Sequence, residues 1–278
     1  MNTLTKRRVS QSILYLFLAV AIIITLVPLV WMVSTSLKSP EHVFTFPIEW
    51  LPDGFHWENY QQALSARPFG LYLLNSIAAS SVSVLITVLL SSAAGYGFAH
   101  FQFPGRDLLF LVVLSTLMIP FEVIAVPLYI QIHQWGLVDS YTGLILPTAF
   151  SAIGIFIMRQ YMLSIPKDFI ESARMDGANE LQILTGIIWP LSMPAMSAVA
   201  IFTFVSVWNS YLWPLLVINS DQLRTLPLGM ALYENELTVT YNRIMAVAVF
   251  GALPLVIMFI LLQRNFIRGI ALTGLKEG

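Results

Sequence analysis

The sequence predicts an all-α integral membrane protein with six transmembrane helices, and three observations support this. Of the 278 residues, 57% are hydrophobic and only 10% are charged. A soluble chain carries about 25% charged residues, so this chain has too few to cover a water-facing surface. Six apolar runs are each long enough to cross a bilayer, which takes ~20 residues. Each should be a helix, because lipid offers the backbone no hydrogen-bond partner. The runs are 12–33, 71–99, 108–131, 141–162, 191–219 and 244–262.

The first run follows Lys6, Arg7 and Arg8, as the apolar part of a secretory signal peptide would. Such a peptide has an apolar region of only about 7–15 residues and a small-residue cleavage site. The run at 12–33 is longer, and no clean cleavage site ends it. We therefore expect a retained signal-anchor helix.

The basic residues predict the orientation, because cytoplasmic connections of membrane proteins are enriched in Lys and Arg. Ten of the fourteen fall on one side of the predicted membrane and four on the other. The ten are Lys6, Arg7, Arg8, Arg106, Arg159, Lys167, Arg174, Arg264, Arg268 and Lys276. The four are Lys38, Arg67, Arg224 and Arg243. Both termini and the connection around Glu171 are therefore predicted to be cytoplasmic.

Between the first two runs, residues 34–70 form the longest connection on the outer side. Residues 57–66 can form a short helix at the interface, where Trp and Tyr rings prefer to lie. This helix is either a docking surface for an extracytoplasmic partner or a lid that joins two spans.

In the second run, small residues from Ser80 to Gly97 are predicted to pack helices closely rather than to bind a ligand.

Between the fourth and fifth runs, residues 165–190 form a charged island that we call the elbow. Asp168 and Glu171 suit the positive end of a helix that starts near Pro166. Phe169, Ile170 and Ala173 give that helix one apolar side.

Gly177 then permits a sharp reversal of the chain. Asn179 and Glu180 can cap a second short helix at 181–188, and Pro190 is predicted to stop it. The elbow is thus predicted to be a stiff helix–Gly–helix projection rather than a loose loop.

At these residues the chain resembles the permease subunits of ABC importers, whose cytoplasmic signature is Glu-Ala-Ala, three residues, Gly, nine residues, Ile, one residue, Leu-Pro. Glu171, Ala173, Gly177, Ile187 and Pro190 match it with every spacing kept. The sequence departs from it at Ser172, which replaces Ala, and at Trp189, which replaces Leu.

Further residues resemble the carbohydrate-uptake branch of this family, the six-helix maltose and glycerol-phosphate type, and the resemblance covers essentially the whole chain. These residues are Asn75-Ser76, residues 103–106 and 176–178, Trp208-Asn209, Trp213-Pro214, and the closing residues 263–269.

The resemblance implies a single transmembrane domain over residues 1–278, with a core bundle at about 71–262. It implies that the elbow is a coupling helix docked on a separate ATPase, of which there are two copies. A second homologous permease and an extracytoplasmic solute-binding protein complete the complex in a bacterial or archaeal cytoplasmic membrane, and transport proceeds by alternating access. The implied ATPase-coupling residues are Glu171, Ser172, Ala173, Asp176, Gly177, Ile187 and Pro190.

The sequence also argues against several functions. It contains no Gly-x-x-x-x-Gly-Lys-Ser/Thr phosphate cradle, so we expect ATP and Mg to bind the partner ATPase and no cofactor on this chain. It lacks cysteine and has no basic stripe for nucleic acid. Neither His-Glu-x-x-His nor Gly-x-Ser-x-Gly occurs. A secondary transporter of a small polar solute is the main alternative, and a membrane-embedded enzyme is a weaker one.

Two groups are candidates for the translocation path. Glu122 is the one acidic residue well inside a run; it either contacts solute or lies at a helix break near the outer interface, and the second reading is slightly favoured. Trp208, Asn209, Ser210 and Tyr211 either bind sugar hydroxyls and C–H faces or join helices.

The tail at 264–278 lies either on the anionic cytoplasmic leaflet or on the ATPase. The residues do not identify the solute: a di- or oligosaccharide, a polyol and glycerol-3-phosphate all fit.

Overall fold

The computed structural model describes the backbone of residues 3–234 and 240–274, and the side chains of 11–234 and 240–263. Over these ranges the chain is helical and contains no strand, as predicted. The helices are α1 Thr3–Ser36, α2 Glu58–Ala66, α3 Phe69–His100, α4 Arg106–Ser115, α5 Phe121–Gln134, α6 Tyr141–Ile145, α7 Ala152–Met162, α8 Asp168–Met175, α9 Glu180–Ile183, α10 Trp189–Trp208, α11 Leu212–Val217, α12 Leu226–Glu234 and α13 Tyr241–Gly274.

In the described part of the chain, four helical stretches are long and apolar enough to cross a membrane unbroken. These are Gln11–Ser36, Phe69–His100, Glu180–Trp208 and Tyr241–Gln263. Two bent pairs of helices bring the number of candidate spans to as many as six. The exact number of six spans therefore stays a prediction.

The sequence suggested that the third apolar run is a single helix, but the structure divides it into two. The stretch Arg106–Met118 ends just before Pro120, and α5 starts at Phe121 with its axis turned by 102°. Pro120 has no N–H to donate and biases the residue before it towards extended backbone, and Ile119 is indeed extended. Pro127 lies inside α5 without breaking it. The fourth run is also broken, with a bend of 45° between Thr148 and Ala152.

The fifth span starts earlier and ends earlier than predicted. Helix runs from Glu180 to Trp208, so α9 continues into α10 and the prediction that Pro190 stops it is wrong. A π-helical turn at Leu184–Ile188 directly precedes Trp189 and Pro190. Such a local change of register satisfies backbone groups that a proline would otherwise leave unpaired. Beyond Trp208 the helix is interrupted, and α11 is a separate short helix.

The described residues fall into two compact units. The first contains Met1–Phe69 and Met230–Ala252. Within it, α2 confirms the helix predicted at 57–66. Lys38 is fully buried, with its ammonium 4.4 Å from the ring centre of Trp31. The side-chain amides of Asn59 and Asn242 donate to the Lys38 carbonyl at 2.8 Å and 3.0 Å. These contacts fix the chain where it leaves α1.

The second unit contains Gly70–Gly229 and Leu253–Gly278. Its α3 and α7 pack at close range through glycines. A Cβ at Gly95 would lie 2.6 Å from the Cβ of Met158, and a Cβ at Gly154 would lie 2.5 Å from Ser91 Oγ. The structure thus confirms close packing for Ser91 and Gly95 of the second apolar run, whereas Ser81 and Ala93 are exposed.

Candidate functional site

The inner face of the elbow is seated on the core of the second unit. Ile170 and Ala173 of α8 are buried with Met162, Ile165 and Ile183 in one hydrophobic cluster. Ala173 thus faces its own chain. Phe169, which we had expected on the same apolar side, points the other way and is exposed. The hydrophobic effect therefore holds α8 in place through two residues of the predicted three.

The turn of the elbow has the predicted conformation. Gly177 has φ of +81°, a region that residues with a side chain rarely adopt. Asn179 then caps α9, since its side chain accepts from the Gln182 N–H while the Gln182 side chain accepts from the Asn179 N–H. This reciprocal pair is a capping box, which fixes where the second helix begins.

The outer face of the elbow combines carboxylates with apolar side chains. Glu171, Ser172 and Asp176 are exposed, and so is Met175, of which 88% is accessible. The Ser172 hydroxyl donates to the Asp168 carbonyl at 2.7 Å, so its side chain folds back on α8. The elbow therefore presents a surface that the described part of the chain leaves uncovered.

The remaining two predicted coupling residues lie further along the fifth span. Ile187 is partly buried and packs against the hydrophobic cluster, whereas Pro190 is exposed. Next to them, the indole of Trp189 donates to Ser92 Oγ of α3 at 3.1 Å. The Trp that departs from the family pattern thus ties the fifth span to α3.

Sequence reasoning missed a polar clamp behind the elbow, which we call the Glu180 clamp. Glu180 accepts from Arg174 Nε at Oε1, at 2.8 Å, and from the Tyr96 hydroxyl at Oε2, at 2.6 Å. The hydrogen bond to Glu180 raises the pKa of Arg174 above its usual value. Tyr96 lies 84 residues before Glu180, so no local pattern signals the contact.

The second unit also contains a cavity of about 400 Å³, lined chiefly by the broken fourth span and α10. Hydroxyl groups and aromatic rings line it. The hydroxyl-bearing residues are Thr148, Ser151, Thr203, Ser206 and Ser210, and the aromatic ones are Phe121, Phe150, Phe202 and Trp213. No charged side chain belongs to this lining, which consists of described residues throughout.

Of the predicted path residues, only Ser210 lines the cavity. Trp208 is buried and stacks on Phe204, with ring centres 5.5 Å apart. Asn209 ends α10 and donates to the Val205 carbonyl of the same helix at 2.9 Å. Tyr211 is exposed. Trp208 and Asn209 therefore contact their own helix rather than the cavity.

Glu122 also lies outside the cavity lining. It is exposed in the first turn of α5, immediately after the break at Pro120. The structure thus favours the reading in which this carboxylate sits at a helix break, where it faces the positive end of the helix dipole.

Asn75 and Ser76 have a structural role at the other end of α3. The Asn75 amide donates to the carbonyls of Gln222 and Arg224 at 2.8 Å and 2.9 Å, and Ser76 Oγ accepts from the Leu226 N–H at 2.7 Å. These bonds fix the connection after α11. The tail at 264–278 lies outside the described side chains, so its predicted contacts remain predictions.

Comparison with known proteins found a matching family and several similar sequences. Residues 88–272 match the family described as binding-protein-dependent transport system inner membrane component. The arabinooligosaccharides transport system permease protein AraQ of Bacillus subtilis (strain 168) is 38% identical over 205 residues, 74% of this chain and 73% of the relative. The sn-glycerol-3-phosphate transport system permease protein UgpE of Yersinia pestis bv. Antiqua is 33% identical over 273 residues, 95% of this chain and 97% of the relative.

A solved structure shares the fold. The crystal structure of a bacterial ABC transporter involved in the import of the acidic polysaccharide alginate contains a chain that superposes with a TM-score of 0.82. The match covers 94% of this chain and 98% of that chain, at 24% sequence identity.

Proposed function

This chain belongs to the family of binding-protein-dependent transport system inner membrane components, and on that premise we propose that it is the permease subunit of an ATP-driven carbohydrate importer. In this proposal the chain forms part of the translocation path. A separate ATPase drives the path through the elbow at 165–190, so this chain is a transport subunit and not itself an enzyme.

The observation that carries the proposal is the surface of the elbow. Several exposed apolar side chains on one short projecting segment are typical of a contact with a partner. Phe169, Met175 and Leu181 are 51%, 88% and 68% exposed, while Ile170 and Ala173 anchor the same segment to the core. The ATPase would cover the three exposed apolar side chains. The carboxylates of Glu171 and Asp176 would meet basic groups on the ATPase.

We assign the seating of the elbow to Ala173, because its methyl group faces the chain's own core. Gly177 supplies the reversal that directs α8 outward. Ser172 and Asp176 lie on the exposed side. Ala173 and Gly177 thus shape the elbow, whereas Glu171, Ser172 and Asp176 are the members that would face the partner.

The lining of the cavity supports the proposal that the solute is neutral and rich in hydroxyl groups. Cavities of roughly 300–1,000 Å³ with a few polar groups among aromatic walls are typical small-molecule sites. Hydroxyl groups such as those of Ser206 and Ser210 exchange hydrogen bonds with sugar hydroxyls, and rings such as Phe202 pack on C–H faces. A phosphate dianion would call for Arg or Lys in the wall. A neutral carbohydrate is therefore favoured over glycerol-3-phosphate.

Six helices enclose little space, so we propose that a second, homologous permease completes the path. Two ATPase subunits with bound ATP and Mg would then act on the two elbows, and an extracytoplasmic solute-binding protein would deliver the solute. ATP binding favours one of two packings of the helices, which is alternating access. The Lys and Arg distribution supports cytoplasmic termini in a bacterial or archaeal cytoplasmic membrane.

The test is uptake by the complex, purified with its ATPase, permease and solute-binding partners and reconstituted in lipid vesicles. We expect accumulation of labelled maltotriose or arabinotriose only with ATP inside the vesicle, and little uptake of sn-glycerol-3-phosphate. Uptake driven by an ion gradient without ATP would instead identify a secondary transporter. Turnover of a substrate by the purified chain alone would identify a membrane enzyme.

A further inference from the structure

We propose that α3 carries the movement of the elbow to the wall of the cavity, with Tyr96 and Glu180 as positioning residues at one end and Ser83 and Thr87 at the other. This inference rests on the proposed function, since it needs an ATPase that moves the elbow. It goes further by naming the element that transmits the movement.

At the elbow, the Glu180 clamp joins three helices through one carboxylate. Arg174 belongs to α8, Glu180 is the first residue of α9, and Tyr96 belongs to α3. Each carboxylate oxygen accepts one hydrogen bond, at 2.8 Å from Arg174 Nε and at 2.6 Å from the Tyr96 hydroxyl. Hydrogen bonds to an ionised acceptor are about twice as strong as neutral ones. A displacement of α8 therefore pulls on α3 or breaks these bonds.

Between its two ends, α3 is suited to act as a stiff rod. It is one unbroken helix without proline. From Tyr96 to Thr87 it covers about 14 Å, at 1.5 Å per residue. Trp189 adds a second tie to α3, at Ser92. Helices that pack closely have discrete arrangements rather than continuous ones, so a push at one end is not absorbed by gradual deformation.

At the cavity, α3 holds the break in the fourth span. Thr87 donates to the carbonyls of Thr148 and Ala149 at 3.1 Å and 3.3 Å, and the hydroxyls of Ser83 and Thr148 lie 2.7 Å apart. Thr148 lines the cavity, and Ala149 is the next residue in the break between α6 and α7. If α3 slides, Thr148 must follow it or lose these bonds.

The chain has no cysteine, so a single introduced cysteine carries one fluorescent label without other changes. We place labels singly at Met175, on the elbow, and at Phe150, beside the cavity. In the assembled complex with its ATPase, addition of ATP should change the emission of both labels.

Tyr96→Phe, Glu180→Gln and Thr87→Val should leave the ATP response at Met175 unchanged and reduce the response at Phe150 at least threefold. Tyr161→Phe and Thr185→Val are the matched controls. Tyr161 packs against the same core, and the hydroxyl of Thr185 donates to the Leu181 carbonyl of its own helix. Both controls should respond like the wild type.

The double variant Tyr96→Phe, Glu180→Gln should lose less than the sum of the two single variants, because both changes act on the Tyr96–Glu180 hydrogen bond. A wild-type response at Phe150 in Tyr96→Phe and Glu180→Gln overturns the inference while the proposed function stands. An equal loss in Tyr161→Phe overturns it too, since it would show general loosening of the core. If ATP changes neither label in the wild type, the proposed function fails and this inference fails with it.

Discussion

At the scale of single residues, the elbow depends on one backbone conformation and one buried methyl group. Gly177 adopts a positive φ, and Ala173 seats α8 on the core. Both features depend on local sequence, which is why the reversal at Gly177 and an apolar side of α8 that includes Ala173 could be predicted. The motif spacing reports where the chain must reverse and which side of the helix packs. It does not report the exposed position of Phe169, which the seating of α8 on the core decides.

The first prediction concerns Gly177→Ala. A Cβ would meet no neighbour there, but the left-handed conformation costs a residue with a side chain roughly 1–2 kcal/mol. We expect the variant to associate less tightly with the ATPase in a membrane pull-down. Gly186→Ala is the matched control, because Gly186 is helical and a Cβ there also meets open space. Equal association of both variants would contradict the role of the turn.

The second prediction concerns Ala173→Asp. A carboxylate placed without a partner in the cluster around Ala173 should cost about 3 kcal/mol and displace α8. We expect loss of ATPase association and of uptake, and a lower thermal midpoint for the permease. Ser172→Asp adds the same charge at an exposed neighbouring position and should keep the fold. An Ala173→Asp variant that transports at the wild-type rate would show that the elbow does not depend on the packing of Ala173 against the core.

At the scale of helices, proline positions show what a sequence can and cannot predict. Pro120 marks a real break, whereas Pro190, Pro194 and Pro254 lie within continuous helices. The π-turn at Leu184–Ile188 directly precedes Pro190 in its continuous helix, and such a turn is not visible in local sequence. For the same reason the Glu180 clamp and the cavity wall, which join distant segments, were not predicted.

The third prediction tests the close packing of α3 on α7. In Gly95→Ala the new Cβ would lie 2.6 Å from Met158 Cβ and 3.0 Å from the Arg159 backbone nitrogen. Because a backbone atom cannot rotate away, the helices must separate, and we expect a loss of about 1–3 kcal/mol. Gly97→Ala on the same helix meets its nearest atom only at 4.0 Å and should be neutral. Thermal unfolding in detergent measures both, and equal midpoints would contradict the packing argument.

The fourth prediction concerns the segment between α1 and α2. Hydrogen bonds to Glu58 and Asp53 raise the pKa of His56, and a hydrogen bond to Glu49 raises that of His42. Because these pKa values are raised in the folded state, the protonated histidines stabilise the segment at pH values below the ordinary pKa of 6.5. This contribution is lost as the pH rises through the folded-state pKa values. The segment is therefore predicted to loosen as the pH rises above 6.5 and through the raised pKa values.

Hydrogen exchange of residues 39–57, corrected for the intrinsic rate, should show less protection at about pH 8.5 than at about pH 6. The variant with both His42→Gln and His56→Gln should show no such difference. A fall in protection of the same size in that variant would rule out the histidines as its cause.

At the scale of the whole molecule, family membership and the described contacts support different roles for the elbow and the cavity. The elbow exposes carboxylates and apolar side chains, which we propose the ATPase covers, and hydroxyl groups and rings line the cavity that we propose for a neutral solute. Composition and the spaced motif were enough to predict a helical membrane permease. They could not identify the cavity, since Thr148 and Ser151 of the fourth span lie far in sequence from Thr203 and Ser206 of α10, and all four are ordinary residues in any apolar run.

The most direct test of the account is a cross-link from the elbow to the ATPase. A photoreactive group on Met175→Cys, which is 88% exposed, should capture the ATPase subunit in native membranes. The same group on Met118→Cys, 84% exposed at the break in the third span, should not. Capture at Met175 alone is the result we predict. Absence of capture at Met175, or equal capture at both positions, would contradict the assignment of the elbow as the site of ATP coupling.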